Sequence, residues 1–179
     1  MPSQYWESLL NAPALGAGTA YASSAVIADV SPTPNFVLPA NYLQVGSVLR
    51  ITASGVFSNT GTPTLILGAY YGGVAGTALG ATTTITTITA ASNWPWKFYW
   101  EGVVRTVGAS GSIIGVGHVL MPASITQFQA PWCVPATGAQ TAVTIDTTSA
   151  KAITLGATWS ASSASNTLTV HNFLVESVA

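Results

Sequence analysis

The chain has 179 residues but only nine charged side chains, 5% of the total, with a formal net charge of −1. An ordinary soluble domain carries about 25% charged residues. Four basic residues (Arg50, Lys97, Arg105 and Lys151) cannot neutralise a run of phosphates, so neither nucleic acid nor an anionic membrane surface is an expected partner.

The length fits one domain with its own hydrophobic core. The single cysteine, Cys133, rules out an internal disulfide and reads as a buried thiol. With so little charge, the surface has to be Ser, Thr, Ala, Gly and Asn with some apolar area. Such a surface is either shared with neighbours in an assembly or is a neutral hydroxyl coat on a secreted or particle-bound protein. Apolar runs such as 64–68 are short and broken by Gly, Thr and Pro, far from the ~20 residues of a spanning helix. The start, Met1 to Glu7, lacks a basic region followed by a long apolar core, so no secretory signal is expected.

Helix formers are scarce, while Thr, Val, Gly and Pro are frequent. The one helical candidate is a short turn from Tyr5 to Asn11, stopped by Pro13. Residues 1–24 read as an extended N-terminal arm, with Tyr5, Trp6, Leu9 and Leu10 as candidate anchors on a neighbour. The aromatic pair favours a tether over a loose tail. Residues 25–179 form the domain proper.

Strands are expected at Ala25–Val30, Val48–Phe57, Thr64–Tyr71, Thr82–Thr89, Lys97–Val107, Ser112–Met121, Thr141–Asp146, Ala152–Trp159 and Thr167–Val175. Period two puts Leu49, Ile51 and Ala53 on one face and Arg50, Thr52 and Ser54 on the other. It likewise sets Lys97, Glu101 and Arg105 opposite Phe98, Trp100, Gly102 and Val104. Ile153, Leu155, Ala157 and Trp159 share a face, as do Leu168, Val170 and Leu174. The stretches 58–63, 92–96, 108–111, 146–149 and 161–166 read as turns, and Pro122–Gly138 as a long connection. About eight strands from Val48 onward imply an all-β, antiparallel β-sandwich of jelly-roll-like type.

Catalytic and metal signals are thin. No two carboxylates are close in sequence, and His118 and His171 fall in different strands without ligand-spaced partners. Neither a nucleophile elbow nor a phosphate-binding glycine loop is present. The expectation is a non-enzymatic chain with no catalytic residues, metal or cofactor. The aromatic cluster Trp94, Trp96, Tyr99 and Trp100, with Trp132 later, reads as core and interface packing. The interface candidates are Trp94, Trp96, Trp100 and Trp132. A sugar-stacking platform at Trp94 to Trp100 is the competing reading.

The stretches 58–65, 72–79, 93–96, 108–113 and 144–148 (SNTGTPTL, GGVAGTAL, NWPW, GASGSI and TIDTT) resemble virion structural proteins of tailed bacteriophages that infect actinobacteria. The nearest family sense is a capsid decoration, or cement, protein, and the resemblance covers most of residues 45–176. It implies a homotrimer made in the host cytoplasm. The trimer would sit on the outer surface of the phage head, clamp the major capsid protein and stabilise the assembled shell. The alternative is a tail or fibre protein that binds a host-surface glycan through the aromatic cluster.

Overall fold

Alternation of inward and outward side chains organises this protein. The computed structural model describes residues 6–13, 19–21, 26–32, 35–124, 126–128, 130–136 and 139–178; at 6–13, 19–21, 123 and 128 the description is of backbone. Among these residues every regular element is a strand. The first eight are β1 (Trp6–Pro13), β2 (Thr19–Tyr21), β3 (Ala28–Asp29), β4 (Val37–Leu38), β5 (Val48–Ser58), β6 (Thr64–Tyr71), β7 (Thr77–Ala81) and β8 (Ile85–Thr86). Then come β9 (Trp94–Thr106), β10 (Gly111–Leu120), β11 (Pro122–Ser124), β12 (Gln127–Phe128), β13 (Trp132–Val134), β14 (Val143–Ile145), β15 (Lys151–Trp159) and β16 (Ser163–Val178).

The larger, eight-stranded sheet runs β1-β16-β5-β9-β10-β13, with β14 also paired to β10 and β2 to β16. The six-stranded sheet runs β3-β15-β6-β7, with β4 on β15 and β8 on β6. A separate β11-β12 pair completes the set, and all pairings are antiparallel. The expected antiparallel sandwich forms.

The core lies between the sheets. β5 alternates over its whole length, burying Leu49, Ile51, Ala53 and Phe57 and turning Arg50, Thr52 and Ser54 outward, as the sequence pattern predicts. β9 buries Trp96, Phe98, Trp100 and Val104, leaving Lys97, Tyr99, Glu101 and Val103 on the outer face. From the facing sheet come Leu65, Leu67 and Ala69 of β6 and Ile153, Leu155, Ala157 and Trp159 of β15.

Trp100 occupies a slot made by glycines of three strands. A Cβ on Gly102 of β9 would lie 2.3 Å from its ring, and one on Gly115 of β10 only 2.2 Å away. Gly102 and Gly115 are direct cross-strand partners, so the indole lies flat over a bare patch of its own sheet. Its other edge reaches the facing sheet, where a Cβ on Gly80 of β7 would come within 3.0 Å of Nε1. Any larger residue at 102 or 115 would collide with a ring that has no room to move.

A bulge resets the last strand. Between Val170 and Asn172 the pairing of β16 with β5 slips by one residue at His171. Phe173 and Val175 therefore point inward, and Leu174, expected beside Leu168 and Val170, turns outward. The opposing Gly55 accommodates the bulge, since a Cβ there would sit 1.8 Å from the Thr169 carbonyl oxygen.

Several local expectations change. In place of the short turn expected over 5–11, the described residues from Trp6 are extended: β1 pairs with β16 from Trp6 opposite Val178 to Pro13 opposite Asn172. A helix that short is marginal by itself, whereas a sheet edge offers a full row of backbone partners. Only Ile85–Thr86 of the Thr82–Thr89 run is strand. Thr82 and Thr87 are buried and spend their hydroxyls on partners 15 to 28 residues away. Thr82 Oγ1 accepts from the Leu67 N–H at 3.1 Å, and Thr87 Oγ1 accepts from Asn59 Nδ2 at 2.7 Å while donating to the Pro63 carbonyl. β7 was not expected, and the 122–138 connection contains β11, β12 and β13. β9 begins at Trp94 and β16 at Ser163, inside stretches expected to be turns. Cys133 is exposed rather than buried.

Gly115→Ala is expected to lower the unfolding free energy by about 1–3 kcal/mol through overpacking. Trp100→Ala should cost about 3–5 kcal/mol through the cavity it leaves. Urea unfolding measures both, and a Gly115→Ala chain as stable as wild type would contradict the slot.

Candidate functional site

Because Trp100, Gly102 and Val104 face inward, their neighbours line up on the outer face of the larger sheet in cross-strand rows. One row runs Val178, Val48, Val103, Ile114 across β16, β5, β9 and β10. The next runs Glu176, Arg50, Glu101, Val116, and the third Leu174, Thr52, Tyr99, His118, ending at Cys133 of β13. Val103 and Val116 are 37% and 59% exposed, while Val48, Ile114 and Val178 are half-buried.

The middle row carries an ion-pair network. Arg50 donates to Glu101 Oε2 from Nε at 3.0 Å and from Nη2 at 2.8 Å. Its Nη1 lies 3.8 Å from Glu176 on the other side, and the Tyr99 hydroxyl donates to Glu101 Oε2 at 2.8 Å. The Arg50 hydrogen bond, helped by that of Tyr99, holds the Glu101 carboxyl below its ordinary range. Burial, and then the bond to Glu101, pushes the Tyr99 phenol up. The Arg50 guanidinium is held still more firmly charged by Glu101. Tyr99 also stacks on His118, with ring centroids 5.4 Å apart and planes 28° from parallel.

Outside this face, Asp146 organises the turn before β15. It accepts from the Ser149 and Thr148 hydroxyls and from the Thr148 N–H, with Lys151 Nζ 3.9 Å away. These bonds pull its carboxyl down to about 2.

The aromatics expected at an interface divide into two pairs. Trp96 and Trp100 are 2% and 0% exposed and belong to the core, because even positions of β9 face inward; they are closed to a partner or a sugar. Trp94, at the first position of β9, and Trp132, opposite Val119, are only partly buried. Of the arm anchors, Tyr5 lies outside the described residues. So do the side chains of Trp6, Leu9 and Leu10, whose backbone lies in β1. Cys133 sits directly opposite His118, but His171 is on β16, with β5 and β9 between it and β10. Three strand spacings of about 4.8 Å separate β16 from β10. Among the described residues no group of three or more His, Cys, Asp or Glu could hold a metal ion.

Sequence reasoning placed Arg50, Lys97 and Glu101 outward but did not join the strands into rows. Register supplies that. The Val178–Val48–Val103–Ile114 row depends on the bulge at His171, which has no local signature.

The site is thus an open sheet face on an all-β sandwich, half apolar and half ion-paired. No family model, curated protein or solved structure matches this chain. Among the described residues no helix is long and apolar enough to cross a membrane.

The network carries a pH signature. A carboxyl whose folded pKa lies below its unfolded value adds stability that is complete above the unfolded value, near 4.5 for Glu101, and lost as pH falls through the folded one. Glu101→Gln should therefore lower stability at neutral pH, and its deficit relative to wild type should shrink as pH falls below about 4.5. With both partners partly exposed, the full deficit is at most about 1 kcal/mol. Urea midpoints measured from pH 3 to 7 check this; a deficit that grows toward acid has the wrong sign.

Proposed function

We propose that this chain is a non-enzymatic virion structural protein, a decoration or cement protein on the outside of a tailed-phage head. It binds the major capsid protein as a homotrimer and stabilises the assembled shell. The observation that carries the reading is the outer face of the larger sheet. Exposed Val103 stands in register with half-buried Val48, Ile114 and Val178, and exposed Val116 ends the neighbouring row, opposite Glu101 of an ion-pair network whose members already bond one another. On that patch the valine area can be covered while Arg50, Glu101 and Glu176 keep one another as partners. The composition supports the same conclusion, since a 5% charged chain has little else to keep a wide surface wetted. So do the phrases that resemble phage virion proteins.

β1 extends this sheet beyond β16, so the arm borders the same face and adds to the contact. The non-enzymatic reading rests on where the charges are. Arg50, Glu101 and Glu176 hold each other on an open sheet surface instead of lining a cleft. Binding by two weak signals, a sheet face and an arm, suits attachment after the shell has formed. Attachment there stabilises the shell by mass action, because the protein binds the assembled form and not its separated parts.

The glycan reading through the Trp94 to Trp100 cluster loses two of its three indoles to the core, and of the three only Trp94 stays partly exposed.

Attachment to purified heads stripped of this chain tests the reading. Val103→Asp with Val116→Asp should reduce binding by at least about tenfold, because a carboxylate would be buried without a partner. The fold should be kept at a cost of about 1–2 kcal/mol, since Asp is a poorer strand former than Val and position 116 lies opposite Glu101. Equal attachment by the folded double variant would sink the proposal.

A further inference from the structure

At the start of β9, where Trp94 leaves the core, the β11-β12 hairpin stands over the strand and closes a cleft of ≈ 300 Å³. That is the lower end of the size range of small-ligand sites, about 300–1,000 Å³. Its apolar part is Trp94, Pro95 and Pro122, and its polar part includes the carboxamides of Asn93 and Gln127 and the hydroxyl of Ser124. Every described lining residue is uncharged.

The loop that presents Trp94 is held in an unusual shape. Ala90 and Asn93 both have left-handed backbone, with φ of 54° and 52°. For alanine this conformation is uncommon and strained. It is fixed from outside the loop. Asn59, 3% exposed, accepts from the Ala91 N–H at 2.7 Å and donates to the Ile88 carbonyl at 2.8 Å, while its own N–H donates to the Ala91 carbonyl at 3.0 Å. The Asn93 N–H donates to Ser58 Oγ at 2.9 Å. Strain kept in place by such bonds gathers at ligand sites, where a prearranged wall lowers the ordering cost of binding.

We infer that this cleft binds a neutral saccharide. A sugar ring has a face of polarised C–H groups and a rim of hydroxyls that both donate and accept. The negative face of an indole attracts the first. Carboxamides and a serine hydroxyl, each able to donate and accept, meet the second. The described lining offers a charged ligand no counter-charge, and a wholly apolar one would leave its carboxamides and hydroxyl unused. The site is independent of the valine face: its residues start β9 and form the hairpin, whereas the valine rows cross β9 at 101 and 103.

The test is calorimetric titration, with saturation-transfer NMR, of the full chain against neutral gluco-, galacto-, manno- and N-acetylglucosamine oligosaccharides. Uronic and sialic acid oligomers and a proline-rich peptide serve as controls. We expect one neutral class to bind at roughly millimolar affinity or better. Trp94→Ala should weaken it by at least about tenfold and Gln127→Ala by about threefold. Gln127 is exposed, so its variant keeps the test valid if Trp94→Ala fails to fold. Val103→Asp should leave sugar binding unchanged whether or not it blocks shell attachment. No binding by any neutral oligosaccharide to folded protein would overturn the inference. So would equal affinity in Gln127→Ala and folded Trp94→Ala, or binding of the charged oligomers or the peptide alone.

Discussion

The Trp100 indole lies across Gly102 and Gly115 in its own sheet and reaches Gly80 in the other. This contact fixes how β9 and β10 are turned. With 100, 102 and 104 inward, 99, 101 and 103 can only face out, and the same holds for 114, 116 and 118 on the paired strand. A one-residue slip between the two strands would bring side chains under the ring in place of glycines and send the whole outer set into the core. The inner jigsaw therefore specifies the outer surface.

That surface matters because charge is so scarce. Of nine charged residues, Arg50, Glu101 and Glu176 meet in one row of one face. The Arg50–Glu101 pair is partly exposed, and such pairs are worth little to stability. Their arrangement bears instead on what the face can meet. The network offers no large net charge to steer a partner, and the valine row beside it, with Val116 at its end, offers area. A partner that covers the face gains from apolar burial and needs only to respect the fixed positions of Arg50 and its carboxylates. That is specificity by shape and register more than by attraction.

Much of the fold was legible in the sequence because it rests on period-two alternation. The faces of β5, β9 and β15 could be read from Leu49 to Ala53, Phe98 to Val104 and Ile153 to Trp159. What could not be read depends on contacts distant in sequence. The bulge at His171 turns Leu174 out, and its counterpart is Gly55, more than a hundred residues earlier. The Thr82–Thr89 run looks like a strand, but its buried hydroxyls find Leu67, Asn59 and Pro63 instead of a ladder. Trp96 and Trp100 were candidates for an interface because aromatics suit both core and surface; only the parity of β9 decides between them. Trp94 shares that parity yet lies at the sheet's end, where the core runs out and a cleft begins.

The central claim is that this face exists to cover other protein on a phage shell. The most direct measurement is the copy number of the chain in purified virions, by quantitative mass spectrometry against the major capsid protein. The account predicts a number comparable with that of the capsid protein, as a protein spread over the whole head requires. A few copies per particle would put the chain at the tail or a single vertex and contradict decoration, and absence from the virion would remove the assembly reading altogether.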